Sequence, residues 1–129
     1  MSSVFRLLLL LAIGSFGNVH ADQQSIADGV YTEAQAEAGE ALYETHCLTC
    51  HDKRYFRPVL KRWEGQPISM LYLIMSTSMP ESNPASLPQD EYIDILAYIL
   101  SLSRYPAGAT PLDHADGALD KIMVEPRKR

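Results

Sequence analysis

The sequence predicts a small, mostly helical domain, and three observations support this fold class. Three segments place apolar residues at helical spacing, the stretches between them contain proline and glycine, and no convincing pair of β-strands is found. The chain has 129 residues. Removal of an N-terminal targeting segment would leave a chain of the size of one ordinary domain.

The first 21 residues have the parts of a secretory signal peptide. Arg6 provides a positive charge, Leu7–Ile13 form an apolar run, and Val19–Ala21 are suitable for cleavage. The run is shorter than the ~20 residues that span a bilayer, so cleavage after Ala21 is favoured over retention as a membrane anchor. We therefore expect a periplasmic protein of residues 22–129, with no stable membrane span after signal removal.

In the first half of the chain, each predicted element follows from local features of the sequence. Residues 22–31 are polar and aperiodic, which indicates a flexible lead-in. Thr32 is a typical N-cap for a helix from Glu33 to Glu44, a segment rich in Ala, Glu and Gln. Residues 52–67 lack a sustained period and indicate a loop, with one helical turn at Val59–Trp63.

The second half contains the clearest helical pattern. A helix is predicted from Ile68 to Ser76, followed by a loop with three prolines. The next helix is predicted from Gln89 to Leu102, with Pro88 in its first turn. Residues 105–129 are predicted to be an extension with a short helix from Asp113 to Met123. One face of the Gln89–Leu102 helix carries Tyr92, Ile95, Leu96, Ile99 and Leu100.

Both cysteines of the chain lie in the segment ETHCLTCHDK, residues 44–53. Cys47, Cys50 and His51 fit the Cys-x-x-Cys-His pattern of covalent c-type haem attachment. One turn offers two thiols to the two vinyl groups of a haem edge, and the histidine that follows can then reach the iron. His46 has no part in this pattern and is expected to be a surface or packing residue.

Other interpretations of the motif remain open at this point. A structural disulfide would leave His51 without a role, and a thioredoxin-like dithiol is expected near a strand-helix-strand pattern. A zinc site normally takes four ligands from two separated pairs, but the chain has no second cysteine pair. Chance occurrence of a short pattern is the remaining alternative.

A methionine is the second axial ligand of many c-type haems and raises their reduction potential. Met70 and Met75 lie in an apolar helical run and are core residues by default, and Met123 lies far downstream. Met79 precedes Pro80 on a loop, outside the helix, and is preferred over Met75 as the ligand.

Residues 32–104 resemble the class I cytochromes c, a family of small all-helical electron carriers. The resemblance implies a fold in which N- and C-terminal helices cross around a covalently bound haem. Gly39 and Tyr43 match the family's crossing positions on the N-terminal helix. Ile95 and Tyr98 match those on the C-terminal helix.

The same resemblance assigns the haem contacts. Cys47 and Cys50 match the thioether cysteines, His51 the proximal ligand, and Met79 the distal ligand. Pro58 matches a proline whose carbonyl accepts a hydrogen bond from the other ring nitrogen of His51. Trp63 is a candidate for a hydrogen bond to a haem propionate, and a core aromatic residue is an equal alternative.

A narrower likeness concerns the loops. Three stretches resemble cytochromes encoded with or fused to periplasmic dehydrogenases, including quinoprotein dehydrogenases. They are RWEGQP, YPAGATPL and the stretch from MSTSMPES to AYILS. The chain departs from the class I pattern at Arg57 and Ala85, where glycine is usual.

Together these features predict a periplasmic carrier of single electrons with one covalent haem c. Two filled axial positions leave no site for substrate, so an enzyme is not expected. The resemblance implies a periplasmic dehydrogenase as electron donor and an oxidase or another cytochrome as acceptor. The formal net charge of −5 argues against a nucleic-acid partner. A catalytic or gas-binding haem protein and a haem-free thiol-disulfide protein are the alternatives.

Overall fold

The computed structural model describes residues 23–128 of the chain. This part contains four helices, two 3₁₀ segments and two very short strands, joined by loops. The signal peptide predicted at residues 1–21 lies outside this part, so its cleavage stays a prediction. The helices are α1 (Glu33–His46), α2 (Phe56–Arg62), α3 (Ser69–Ser78) and α4 (Gln89–Leu102). The 3₁₀ segments are Ile26–Asp28 and Ala115–Lys121, and the strands are β1 (Gln24–Ser25) and β2 (Ile122–Met123).

Helix α1 begins at the predicted residue because its first turn is capped from both directions. Thr32 Oγ1 accepts a hydrogen bond from the backbone N–H of Gln35, and Gln35 Oε1 accepts one from the N–H of Thr32, both at 3.3 Å. This reciprocal arrangement satisfies two N–H groups that a helix start otherwise leaves free. The helix runs two residues beyond the predicted end, to His46.

The predicted crossing of α1 and α4 is confirmed. A Cβ atom on Gly39 would lie 1.9 Å from the backbone oxygen of Asp94, so only glycine lets the two backbones approach this closely. The rings of Tyr43 and Tyr98 meet edge to face on the same side, with centroids 5.4 Å apart. Helix α4 has the predicted bounds, with Pro88 as its N-cap instead of in its first turn.

Helices α2 and α3 differ from their predicted bounds. Helix α2 begins three residues before the predicted turn, because Pro58 is tolerated in the first turn of a helix. Helix α3 begins one residue later than predicted and continues to Ser78. It ends before Met79, since the proline that follows disfavours helical backbone in the preceding residue.

The two ends of the described chain pair with each other, a contact that the sequence pattern does not predict. Strands β1 and β2 are parallel, with Gln24 opposite Ile122 and Ser25 opposite Met123. The lead-in predicted at residues 22–31 is therefore ordered from residue 24. The apolar residues of both ends belong to the core: Ile26, Ala27, Val30, Tyr31, Tyr105, Leu112, Leu119, Ile122 and Val124. The partners are about 100 residues apart, so no local pattern indicates their pairing.

The short helix predicted at Asp113–Met123 is also different in the structure. It is a 3₁₀ segment interrupted by positive φ angles at Asp116 (52°) and Gly117 (68°), and its last two predicted residues form β2. The extension thus wraps the helices. No helix within residues 23–128 has the length and apolar character needed to cross a membrane.

Candidate functional site

A cavity of about 720 Å³ lies between the Cys47–His51 segment, the end of α3 and one face of α4. Both cysteines and His51 line it, and so do two methionines, Met75 and Met79. Its apolar lining includes Phe56, Ile95 and Ile99. The structure therefore brings together the four residues that the sequence proposed as haem anchors and axial ligands, with Met75 as an addition.

The cysteine motif forms one tight turn directly after α1. Cys47 caps the helix, and its carbonyl accepts hydrogen bonds from the backbone N–H groups of Cys50 (3.2 Å) and His51 (2.9 Å). Both cysteines are free, Cys47 half-buried and Cys50 exposed. The turn thus presents two thiols and an imidazole to a single cavity.

The environment of Cys47 does not favour thiol-disulfide chemistry. Burial raises the pKa of its thiol above the usual value. Redox-active cysteines have the opposite property, since a lowered pKa supplies the reactive thiolate.

Tyr43 holds the backbone next to His51 in place. Its side chain is fully buried, and its hydroxyl donates to the backbone oxygen of His51 at 2.8 Å and lies 3.2 Å from that of Asp52. Burial raises the pKa of Tyr43 to about 12, so the hydroxyl keeps its proton at neutral pH. The sequence indicated Tyr43 as a crossing residue but did not reveal this second contact.

Replacing Tyr43 by phenylalanine should lower the free energy of unfolding by about 1–2 kcal/mol, because the backbone oxygens of His51 and Asp52 lose a buried donor. The ring can keep its packing against Phe56 and Tyr98. Denaturant unfolding measures the effect.

Tyr98→Phe is the matched control for this substitution. In the wild type, the Tyr98 hydroxyl donates to the exposed carboxylate of Glu40. Water can replace this donor, so the free energy of unfolding should change by no more than about 0.5 kcal/mol. Equal losses in the two variants would contradict a specific role for the Tyr43 hydroxyl.

The hydrogen bond predicted between His51 and Pro58 is not formed. Nδ1 of His51 is buried and has no hydrogen-bond partner among the described residues. Pro58 lies inside α2, where backbone carbonyls accept helical hydrogen bonds. The imidazole instead contacts two rings, with centroids 4.3 Å away for Tyr55 and 5.7 Å away for Phe56.

Trp63 does not line the cavity. It follows the last residue of α2 and packs, partly buried, against the hydrophobic core. This packing agrees with the core interpretation, and the contact with a haem propionate stays a prediction.

The backbone of Met79 is held from three sides. Its N–H donates to the carbonyl of Met75 (3.1 Å), and its own carbonyl accepts from the hydroxyl of Tyr92 and from the N–H of Ala85 (3.3 Å). Ala85 has a φ of 57°, so it keeps the left-handed backbone that the expected glycine would favour. Tyr92 was predicted only as a core residue, although a buried tyrosine usually signals a hydrogen-bond partner.

The other methionines divide into two groups. Met75 is 6% exposed and shares the cavity with Met79. Met70 is 44% exposed on the surface of α3, and Met123 lies in β2, and neither lines the cavity.

The residues present fit a covalently held haem better than a bare metal ion. Two thiols, one imidazole and two thioethers line a cavity with apolar walls, which is the donor set of a His/Met-ligated c-type haem. Within residues 23–128, no group of three or more His, Cys, Asp and Glu side chains is placed to hold a metal ion. A zinc site therefore has no support from these residues.

Comparison with protein families identifies the chain. A family model described as cytochrome c oxidase, cbb3-type, subunit III matches residues 34–99, about half of the sequence. The chain belongs to this family of cytochrome c domains. No curated protein and no solved structure matches it.

The match extends from the start of α1 into α4 and contains the cysteine motif and Met79. The architecture is the all-α class I cytochrome c fold, as predicted. Membership of the family implies a haem c cofactor and electron transfer through it.

An ion-pair cluster joins the motif segment to α1 of this cytochrome c domain. Lys53 Nζ lies 3.3 Å from a carboxylate oxygen of Glu40 and 3.1 Å from one of Glu44. The nearby Tyr98 side chain and the carboxylates of Glu44 and Glu40 raise the pKa of Lys53. All three charged groups of the ion pairs are exposed, so the cluster positions the segment more than it stabilises the fold.

Proposed function

We propose that this cytochrome c domain is an exported carrier of single electrons. It holds one haem covalently through Cys47 and Cys50, with His51 and Met79 as the axial ligands of the iron. The observation that carries the proposal is the cavity that both cysteines, His51 and Met79 line together. Three of these residues come from one turn, and the fourth comes from a different part of the chain.

When bound, the haem supplies an iron that gains and loses one electron. The side chains of the protein bind and orient that group. Cys47 and Cys50 would anchor one porphyrin edge, and His51 would provide its imidazole from the same turn. Met79 would provide a thioether from a backbone that α4 holds through Tyr92. Apolar side chains in the cavity lining exclude water and so favour a higher potential.

This ligand set supports a carrier and not an enzyme, because an iron with two protein ligands has no open position for a substrate. Tyr43 and Tyr92 hold the backbone beside His51 and Met79, so neither ligand lies on an unsupported loop. Rigid ligands suit rapid one-electron exchange, since little rearrangement accompanies the change in charge.

The loop resemblance supports a periplasmic dehydrogenase, such as a quinoprotein dehydrogenase, as the electron donor. An oxidase or another cytochrome would be the acceptor. Reduction of the ferric protein by such a dehydrogenase during substrate turnover tests the donor assignment.

Mass and absorption measurements test the core of the proposal. Protein from a host that matures c-type cytochromes should carry the mass of one haem on a chain that begins at Asp22. A pyridine haemochrome spectrum should show one haem per chain. The mass addition should persist after denaturation, because thioether bonds survive unfolding.

The double variant Cys47→Ala/Cys50→Ala is the control for covalent attachment. It should show no added haem mass under the same conditions. A colourless wild-type protein with a Cys47–Cys50 disulfide would reject the proposal and favour a thiol-disulfide protein.

A further inference from the structure

A second large groove, of about 900 Å³, lies between α2, the C-terminal end of α4 and the C-terminal tail. The only carboxylate in its lining is that of Glu64. The basic side chains that line it are Arg57, Lys61, Arg104, Arg127 and Lys128. We call this feature the basic groove.

The basic groove is positively charged, whereas the protein as a whole is negatively charged. It holds five of the 11 Lys and Arg residues and one of the 16 Asp and Glu residues of a chain whose net charge is −5. Like charges held close together repel each other. The fold therefore maintains a local positive potential that a bound anion would relieve.

Separate elements bring the basic residues to the lining of one groove. Arg57 on α2 donates through Nη2 to the backbone oxygen of Leu102 (3.4 Å), at the end of α4. The backbone N–H of Arg104 donates to the carbonyl of Ser101 (2.8 Å) just beyond α4. Lys128 forms an ion pair with Asp28 and ties the tail to the 3₁₀ segment near the start of the described chain.

Most of this charge is not neutralised by the protein. Within residues 23–128, Lys128 is the only cation of the basic groove that forms an ion pair. Ser103 also lines the groove. It is 3% exposed, and its Oγ has no hydrogen-bond partner among the described residues.

The basic groove is separate from the cavity of the cysteine motif, because no residue lines both. Helix α2 lies between them, with Phe56 in the cavity and Arg57 and Lys61 in the groove. A ligand in the groove would therefore leave the cavity of the haem contacts free.

We propose that the basic groove binds a multiply charged, phosphate-bearing anion. Guanidinium groups bind phosphate oxygens through paired hydrogen bonds, and Lys61 adds a compact charge. The volume lies within the ~300–1,000 Å³ range of small-ligand sites. The phosphate can belong to a soluble compound or to the headgroup of an anionic lipid.

Calorimetric titration of the haem-loaded protein with inorganic pyrophosphate, at constant ionic strength, tests this inference. The double variant Lys61→Gln/Arg127→Gln should bind pyrophosphate about tenfold or more weakly, because it loses two charge-assisted contacts. Arg62→Gln/Lys121→Gln is the matched control. It removes the same charge outside the groove and should change the affinity less than about twofold, since salt screens distant charges.

A conservative variant guards against a folding defect in the double variant. Lys61→Arg keeps the charge and should bind pyrophosphate as the wild type does, whereas Lys61→Gln alone should bind it more weakly. Absence of pyrophosphate binding to the wild type, or equal losses in the groove variant and its matched control, would overturn the inference. Tighter binding of a hexaglutamate peptide than of pyrophosphate would also overturn it, in favour of an acidic protein segment.

Vesicles distinguish the two sources of phosphate. Co-sedimentation with phosphatidylglycerol vesicles, and not with phosphatidylcholine vesicles, would identify a lipid headgroup if pyrophosphate displaces the protein. Pyrophosphate binding without vesicle association would identify a soluble phosphate compound. Either result supports the site and leaves the haem assignment untouched.

Discussion

Replacing Gly39 by alanine should destabilise the haem-loaded protein by about 1–3 kcal/mol, although alanine is the better helix former. The added Cβ would lie 1.9 Å from the backbone oxygen and 2.4 Å from the carbonyl carbon of Asp94. Both neighbouring atoms belong to the backbone of α4, so relief requires the two helices to move apart. Thermal and denaturant unfolding of the purified protein measure the change.

The sign of this result separates packing from helix propensity. Propensity alone predicts that Gly39→Ala stabilises the protein by roughly 1 kcal/mol. The control is Ala38→Gly, at an exposed position of the same helix. It should lower the free energy of unfolding by roughly 1 kcal/mol through helix propensity alone. A rise in the stability of Gly39→Ala would show that α1 and α4 do not approach as closely as the structure has them.

Replacing Met79 by leucine should lower the reduction potential of the haem by on the order of 0.1 V, since axial ligands set potentials over a range of ~0.8 V and methionine raises them. Leucine conserves the side-chain volume, so packing should change little. Potentiometric titration followed by absorbance measures the potential. The absorption spectrum of the ferric protein should also lose the band that a thioether ligand produces.

Met75→Leu is the matched control, because Met75 lines the same cavity one helical turn before Met79. It should leave both the potential and the thioether band nearly unchanged. The reverse pattern would assign Met75 as the ligand. No change in either variant would contradict methionine ligation and favour a haem protein with an open iron position.

The helices whose bounds were predicted well are those with strong local signals. The capping residues of α1 lie three positions apart, and the apolar face of α4 recurs at helical spacing from Tyr92 to Leu100. The sequence predicts too short a helix α2 because Pro58 indicates a loop, although the first turn of a helix accepts proline. The lead-in was misjudged because its few apolar residues, Ile26 among them, are buried by a tail about 100 residues away.

The residues of the candidate site also divide into those with a local sequence signal and those that depend on distant contacts. Cys47, Cys50 and His51 form a pattern within five residues, so their shared role could be predicted without a fold. Met79 could be favoured only from its loop context, and the structure places Met75 in the cavity as well. The Pro58 and Trp63 assignments depend on distances across the fold: His51 Nδ1 has no partner among the described residues, and Trp63 lies outside the cavity lining.

Local patterns in the sequence are enough to predict the fold class, the bounds of α4, the capped start of α1 and the cysteine motif. Each of these depends on residues that are neighbours along the chain. Three features become visible only in the folded chain. They are the pairing of the two chain ends, the methionines that reach the cavity, and the hydrogen bonds by which Tyr43 and Tyr92 hold the backbone beside His51 and Met79. The basic groove likewise depends on the tail folding back beside α2. Such contacts join residues far apart in sequence, so packing of the whole chain selects them and no local period encodes them.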